Sequence, residues 1–265
     1  MKKYTSELLA KIRGTAPLVH NITNYVVMQS SANILLAQGA SPVMAHAQEE
    51  VEEMSSIASA LVLNIGTLQP YWIEAMILAA KTANKRNIPV ILDPVGSGAT
   101  RLRTETVKRI LTETKVSVLR GNASEIQSLL SGSVKTKGVD SSTGIDRLPE
   151  MRDLAAGMGL IVAVSGPVDY ITDGRTEYRI HNGHPIMTKV TGLGCGLSAT
   201  VGAFTSIADG DNLRATAAAF GYYGLCGQLA AQDNPMPGSF AVSFIDRLAS
   251  TGCLEIDKEL KIAVR

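Results

Sequence analysis

The chain has 265 residues, of which 45% are hydrophobic and 18% charged, and this composition excludes an intrinsically disordered protein. Lys and Arg number 25 against 24 Asp and Glu, and without a dense basic run this balance excludes nucleic acid and an anionic membrane as expected partners. No apolar stretch approaches the roughly 20 residues of a membrane span, and the N-terminus lacks the apolar segment of a signal peptide.

Helices and short apolar runs alternate through the first half of the chain. Apolar residues at helical spacing predict helices, and uninterrupted apolar runs predict buried strands. The predicted helices cover residues 5–13, 26–38, 49–56, 72–84, 104–112 and 125–130. The predicted strands cover residues 42–45, 60–66, 89–92 and 116–119. Strands that alternate with helices indicate a mainly parallel sheet.

The second half adds a hairpin and a helical end. A polar segment at residues 131–144 is expected to be a surface loop, and a helix at 149–158 and a strand at 160–164 follow it. Two alternating runs flank Asp173-Gly174, which is a strong hairpin signal. The remaining predicted helices cover residues 196–206, 213–232 and 240–250. We therefore expect an α/β fold in one domain over residues 1–265, with helices on both faces of the sheet.

A glycine-rich stretch runs from Val190 to Ser198 and leads into a helical pattern. A helix N-terminus presents unpaired N–H groups and the positive end of the helix dipole, so the stretch predicts a phosphate cradle. Cys195 lies in this loop, and a helix N-terminus is expected to lower the pKa of a thiol. The alternative is a simple glycine-rich connection with a small core cysteine.

Polar residues follow successive predicted strands. Asp93 follows one strand, Arg120 and Glu125 follow the next, and Ser165 follows another. Ligands of open α/β sheets bind beyond the carboxyl ends of the strands. Two carboxylates beside a phosphate suit Mg²⁺, and an arginine suits the phosphates themselves. Each residue alone could also be ordinary turn or helix-cap chemistry.

The spacing of the cysteines and histidines supports neither disulfides nor a zinc site. Cys195, Cys226 and Cys253 form no C-x-x-C pair, which argues against a disulfide framework and a zinc site and favours a cytoplasmic location. Cys226 and Cys253 are expected in the core. His181 and His184 lack the two further ligands that zinc would need.

Six motifs, in order, carry a resemblance to a known family. They are His-Asn-Ile-Thr-Asn at 20–24, Ser-Pro-Val-Met-Ala at 41–45, Leu-Asn-Ile-Gly-Thr at 63–67, Leu-Asp-Pro-Val-Gly at 92–96, Arg-Gly-Asn-Ala-Ser-Glu at 120–125 and Val-Thr-Gly-x-Gly-Cys at 190–195. With these motifs the chain resembles the hydroxyethylthiazole kinases of thiamine salvage. Members of that family phosphorylate the primary alcohol of 4-methyl-5-(2-hydroxyethyl)thiazole with ATP.

The resemblance implies a three-layer ribokinase-like fold, ATP as co-substrate with Mg²⁺, and a homotrimer with active sites at subunit interfaces. It puts Cys195 at the catalytic position, where other ribokinase-like kinases have an aspartate base. The remaining roles that it implies are substrate binding by Met44, Gly192 and Asn24, ATP binding by Arg120, Ser165 and Gly194, and Mg²⁺ binding by Asp93 and Glu125. A thiol is a modest base toward a primary alcohol, so Cys195 could instead position the hydroxyl.

Two residues depart from the family pattern. Leu193 stands where the family often has threonine, and the loss of a hydroxyl near the phosphates could lower activity. Ser165 stands where threonine is common, which is a milder change.

Three alternatives remain at this stage. A dinucleotide-dependent oxidoreductase fits poorly, because the stretch lacks the third glycine of G-x-G-x-x-G. A ribokinase-like dehydratase, or a pyrimidine or pyridoxine kinase, would share the fold but favours aspartate at position 195. An inactive nucleotide-binding protein on the same scaffold is left open by Leu193.

Overall fold

The computed structural model of the chain describes residues 1–130 and 148–265. In these residues nine strands form one sheet. The strands are β1 Leu18–Ile22, β2 Ser41–Val43, β3 Ala60–Asn64, β4 Val90–Asp93, β5 Val118–Asn122, β6 Ile161–Ser165, β7 Asp169–Thr172, β8 Glu177–Ile180 and β9 Ile262–Val264.

The helices of the described residues fill the intervals between the strands. They are α1 Lys2–Thr15, α2 Met28–Gln38, α3 Val51–Ile57, α4 Pro70–Lys85, α5 Arg101–Glu113, α6 Ala123–Leu130, α7 Leu148–Met158, α8 Leu193–Thr205, α9 Asn212–Asp233, α10 Pro237–Ser250 and α11 Cys253–Glu259. A 3₁₀ helix, Pro185–Lys189, precedes α8. None of the helices in residues 1–130 and 148–265 has the length and apolar character needed to cross a membrane.

The sheet is parallel on one side and antiparallel on the other. Its strand order is β2-β1-β3-β4-β5-β6-β7-β8-β9. The strands from β2 to β6 pair in parallel, and β7, β8 and β9 continue the sheet in antiparallel pairs. The parallel strands therefore end at one edge of the sheet, and the polar residues that follow them gather there.

Each face of the sheet is covered by its own layer of helices. Side chains alternate between the faces along a strand: in β3, Val62 packs into the core beneath α1, α2 and α8–α10, whereas Leu61 and Leu63 pack into the core beneath α3–α7. Both layers bury apolar surface, which is the main favourable term in folding. The α/β class and the helix layers on both faces are thus confirmed.

Two strands, one α-helix and the 3₁₀ helix were missed in the sequence, and one prediction lies outside the described residues. The strand β1 carries His20 and Asn21 among apolar residues, and this polar content obscured it. Both side chains are buried and hydrogen-bonded, His20 Nδ1 to Ser55 Oγ at 3.0 Å and Asn21 Nδ2 to the Val19 carbonyl at 2.9 Å. The elements α11 and β9 are short, with little periodicity to detect. The loop predicted at 131–144 lies outside the described residues.

Candidate active site

The carboxyl ends of the parallel strands bring polar side chains into register. Asn64, at the end of β3, lies beside Asp93, at the end of β4. Asn122 lies beside Ser165 at the ends of β5 and β6, and Arg120 points from β5 toward the start of α8. The sequence therefore places these side chains together because their strands end side by side.

The N-terminus of α8 forms the opposite wall of the site. Gly192 takes the left-handed conformation, with φ of 90°, immediately before the helix. The first helical hydrogen bond runs from the Gly196 amide to the Gly192 carbonyl at 2.8 Å, so the amides of Leu193, Gly194 and Cys195 have no acceptor within the helix. Three such N–H groups at the positive end of a helix dipole suit an anion, and the phosphate cradle that the glycine pattern predicts would lie here.

Arg120 connects the strand ends to the start of α8. Its guanidinium donates to the Gly194 carbonyl at 2.9 Å and to Ser165 Oγ at 2.7 Å. It also lies 3.7 Å from Asp93 Oδ2. The Arg120 residue is only 6% exposed, so its charge is held in place by neighbours on three elements. A fixed, permanently charged fork at the start of a helix is well suited to phosphate groups.

Asp93 is the buried carboxylate of the cluster. Its Oδ2 accepts hydrogen bonds from Asn64 Nδ2 at 3.0 Å and from Ser198 Oγ at 2.7 Å. Its Oδ1 is buried and has no hydrogen-bond partner among the described residues. Burial raises the pKa of Asp93 to about 6, although Arg120 pulls it down. An unpartnered buried oxygen is costly unless a ligand completes it.

Cys195 lies beside this carboxylate, and one expectation about it is wrong. Its Sγ accepts a hydrogen bond from Asn24 Nδ2 at 3.6 Å. Burial, together with the nearby charge of Asp93, raises the pKa of the Cys195 thiol to about 11, although the helix start was expected to lower it. Desolvation of the thiolate outweighs the dipole, because the half-buried sulfur is largely shielded from water. The side chain is therefore a thiol at neutral pH.

Glu125 lies on the same edge but is occupied by the backbone. Its Oε1 accepts from the Gly96 amide at 2.9 Å, and its Oε2 accepts from the Asn122 amide at 2.8 Å. Its charge reaches Asp93 and contributes to raising the pKa of that carboxyl. Within the described residues no three His, Cys, Asp or Glu side chains come together as a metal cage. Two carboxylates, one with a free oxygen, fit a cation that takes its other ligands from phosphate and water.

Met44 lies on the same edge but outside the hydrogen-bonded cluster. It follows β2, and its carbonyl oxygen contacts His46 Nδ1 at 3.2 Å. The next carbonyl, of Ala45, contacts the buried His20 Nε2 at 2.8 Å. Burial lowers the pKa of His20 to about 4, so the ring is neutral. A neutral, buried imidazole thus anchors the segment that carries Met44.

The comparison with known sequences decides the family. The Hydroxyethylthiazole kinase family matches residues 9–252. A hydroxyethylthiazole kinase of Desulfotalea psychrophila is 50% identical over 258 residues, which cover 97% of this chain and 94% of that protein. The chain belongs to the hydroxyethylthiazole kinase family. Family membership also sets aside the dinucleotide-dependent oxidoreductase.

Solved structures agree with the fold. The hydroxyethylthiazole kinase protein of Pyrococcus horikoshii OT3 superposes with a TM-score of 0.91 at 41% identity, covering 99% of both chains. A ribokinase-like superfamily protein of Enterococcus faecalis V583 superposes with a TM-score of 0.61 at 13% identity, covering 96% of this chain and 95% of that one. The second likeness concerns the fold alone. The predicted three-layer ribokinase-like fold is confirmed.

Several residues of the site were not identified from the sequence. Asn64 lies in one of the six motifs, but no role was assigned to it. Ser198 lies three residues after Cys195 in α8, and this spacing would have placed the two side chains on the same face of the helix. Asp169, at the start of β7, accepts from the Gly166 amide at 3.0 Å, and burial raises its pKa to about 7.

Of the two cysteines expected in the core, Cys226 is buried as expected, but Cys253 is exposed because it begins the short surface helix α11.

Proposed function

We propose that the chain transfers the γ-phosphate of ATP to the primary hydroxyl of 4-methyl-5-(2-hydroxyethyl)thiazole. One observation carries the proposal: Arg120 donates hydrogen bonds to the Gly194 carbonyl and to Ser165 Oγ. These bonds place its guanidinium beside Cys195 and beside the three N–H groups at the start of α8 that have no acceptor within the helix. The names of the relatives from D. psychrophila and P. horikoshii support the thiazole as the acceptor.

Phosphoryl transfer asks mainly for positioning and charge stabilisation. The α8 amides would bind the transferring phosphate, and Arg120 would offset its charge from the nucleotide side, with Ser165 and Gly194 completing the ATP contacts. Leu193 offers only its backbone amide, which remains available without the threonine hydroxyl that the family often has.

Cys195 would contact the accepting hydroxyl. Its pKa of about 11 leaves about one thiol in ten thousand ionised at neutral pH. It therefore orients the alcohol more than it deprotonates it, and the charge stabilisation at α8 supplies most of the catalysis. Gly192, Asn24 and Met44 would line the thiazole, since they flank Cys195 or share its edge of the sheet.

Asp93 and Glu125 are the residues that would hold Mg²⁺. The free, buried Oδ1 of Asp93 supports this assignment, and Glu125 adds charge nearby. When bound, the ion would neutralise phosphate charge.

An assembly with sites at subunit interfaces is also proposed. Tyr25 and Val26 directly follow Asn24 and are 54% and 67% exposed. Apolar side chains exposed beside a substrate residue support a partner subunit at that position, as a homotrimer would provide. The free thiols of Cys195, Cys226 and Cys253 support a reducing compartment, the cytoplasm.

The test is release of ADP from Mg-ATP with three alcohols offered separately: hydroxyethylthiazole, aminomethyl-hydroxymethyl-pyrimidine and pyridoxine. We expect turnover selective for the thiazole, with the phosphorylated thiazole identified by mass spectrometry. Selective turnover of either other alcohol would replace the proposed acceptor. ATP binding without any turnover would favour the dehydratase or the inactive scaffold.

A further inference from the structure

A chain of buried amides connects the Asp93 carboxylate to Cys195. Asn64 Nδ2 donates to Asp93 Oδ2 at 3.0 Å, and Asn64 Oδ1 accepts from Asn24 Nδ2 at 2.8 Å. Asn24 Nδ2 in turn donates to Cys195 Sγ at 3.6 Å. Asn64 is 2% exposed and Asn24 is 4% exposed, so these bonds are shielded from bulk water.

Backbone amides fix the direction of the chain. The Gly66 amide donates to Asn64 Oδ1 at 3.0 Å, and the Val26 amide donates to Asn24 Oδ1 at 3.1 Å. A backbone N–H can only donate, so each amide side chain has one possible orientation. Both N–H bonds of the Asn24 amide are then committed, one to Asn64 and the other to Cys195.

We infer that Asn64 is a positioning residue for Cys195, which it reaches through Asn24 and through a hydrogen bond of its own amide to the thiol. It accepts one N–H of Asn24, which directs the other N–H at the sulfur and leaves the thiol hydrogen free for the accepting alcohol. At its other end it holds the Asp93 carboxylate, together with Ser198. The inference rests on the proposed function for its catalytic consequence, but the positions of the three side chains do not depend on it.

Close packing around Asn24 strengthens the assignment. A Cβ added at Gly66 would come within 2.5 Å of Asn24 Nδ2 and within 2.8 Å of its Cβ. The backbone at Gly66 therefore presses on the Asn24 side chain from one side while Asn64 holds it from another. A side chain confined in this way transmits a change at Asn64 directly to the sulfur.

A double-mutant cycle tests the inference. We expect Asn64→Ala and Asn24→Ala each to lower kcat for the thiazole by about tenfold to a hundredfold, because either change would misplace the Cys195 thiol relative to the accepting alcohol. If Asn64 acts through Asn24, the double variant falls no further than the lower single variant. In Asn24→Ala, KM for ATP stays within about twofold, because Arg120, Asp93 and the α8 amides are untouched. Losses of kcat that multiply in the double variant would overturn the inference.

The matched control is Asn21→Ala. Asn21 is 1% exposed and its side chain donates to a backbone carbonyl within its own strand, so its loss costs stability without touching the amide chain. We expect Asn21→Ala to lower the thermal midpoint while kcat stays within about twofold of wild type, since this hydrogen bond lies outside the chain from Asp93 to Cys195. A loss of kcat in Asn21→Ala equal to that in Asn64→Ala would mean that the role of Asn64 is only structural. Asn64→Ser replaces Asn64→Ala if the alanine variant does not fold.

A second readout does not require turnover. In a Cys253→Ser background, which removes the exposed thiol, the rate of Cys195 alkylation by iodoacetamide reports its surroundings. Asn64→Ala should change this rate by at least as large a factor as Asn24→Ala, and the double variant should change it no more than Asn64→Ala does. Factors that multiply in the double variant, or no change in either variant, would overturn the positioning role. If wild type does not phosphorylate the thiazole, the proposed function fails, but this rate still decides the role of Asn64.

Discussion

At the scale of single residues, Arg120 has the most exacting position. Its guanidinium bridges Gly194 and Ser165 and lies near the buried Asp93. Removing the charge would leave Asp93 without a cation, a costly change for the fold. A lysine would keep the charge but could not make both bonds, because an ammonium is a point donor rather than a planar fork.

We therefore predict that Arg120→Lys raises KM for ATP by about tenfold or more while the protein still folds. Arg109→Lys is the matched control, because Arg109 pairs with Glu74 and Glu113 on the exposed surface. Steady-state kinetics with varied ATP, together with the urea midpoint of each variant, provide the measurement. Unchanged ATP use in Arg120→Lys would remove Arg120 from the nucleotide site.

Asp169 gives a prediction about pH. Burial raises its pKa to about 7 from the ordinary 3.8, although the Gly166 amide and Arg120 pull it down. As pH rises between these values the unfolded carboxyl loses its proton first, so the folded state loses stability through this window and the deficit is complete above about pH 7.

Asp169→Asn keeps an oxygen for the Gly166 amide and removes the ionisation. We predict a larger free energy of unfolding than wild type at about pH 8 and no gain at about pH 4. Urea unfolding at both pH values measures this, with Asp257→Asn on the exposed surface of α11 as a control for charge removal. An equal gain at both pH values would rule out an ionising Asp169 with a raised pKa.

The sequence allowed the strand-end residues to be predicted, because Asp93, Arg120 and Ser165 follow apolar runs and strand ends meet at one edge. The ionisation of Cys195 could not be predicted in the same way. The helix start indicated a low pKa, but burial decides the value, and burial depends on side chains distant in sequence. Asn64 was missed for the same reason, since its partners Asn24 and Asp93 lie on other elements.

At the scale of elements, the start of α8 depends on Gly192. Its φ of 90° is one that side chains rarely adopt, and an added Cβ would lie 2.9 Å from Ser30 Oγ and 3.0 Å from Val27 Cγ1. An alanine there would strain the backbone and push against α2. The N–H groups of the three residues that follow would then no longer point toward the proposed phosphate position.

Gly192→Ala should therefore cost more than the backbone strain alone. The control is Gly210→Ala, where φ is also positive at 93° but an added Cβ meets nothing within 4 Å. We predict that Gly210→Ala loses about 1 kcal/mol of stability and keeps its activity. Gly192→Ala should lose more stability in chemical unfolding and most of its kcat. Equal losses in the two variants would mean that the contacts with α2 do not matter.

The elements themselves were mostly predictable. Long apolar helices and buried strands such as β3 and β4 have clear periodicity, and the Asp173-Gly174 hairpin has a strong turn signal. The strand β1 was missed because His20 and Asn21 look like loop residues until their buried hydrogen bonds are known. Tertiary contacts override local pattern in such strands.

At the scale of the whole molecule, the exposed pair Tyr25 and Val26 bears on the proposed trimer. Val26→Glu places a charge in the proposed interface, and burying an unpaired charge is unfavourable. We predict a shift from trimer to monomer and a loss of thiazole turnover that follows the shift. Light scattering after size-exclusion chromatography measures it, with Leu254→Glu, at a site 79% exposed on α11, as the control. A trimer that survives Val26→Glu would place the interface elsewhere.

The most direct measurement is a crystal structure of the protein with Mg²⁺, a non-hydrolysable ATP analogue and hydroxyethylthiazole. We predict that the terminal phosphate lies within hydrogen-bond distance of the amides of Leu193, Gly194 or Cys195. We also predict that Arg120 contacts the nucleotide and that the alcohol oxygen lies against Cys195 Sγ. A nucleotide bound away from α8, or an alcohol distant from Cys195, would contradict the proposed site.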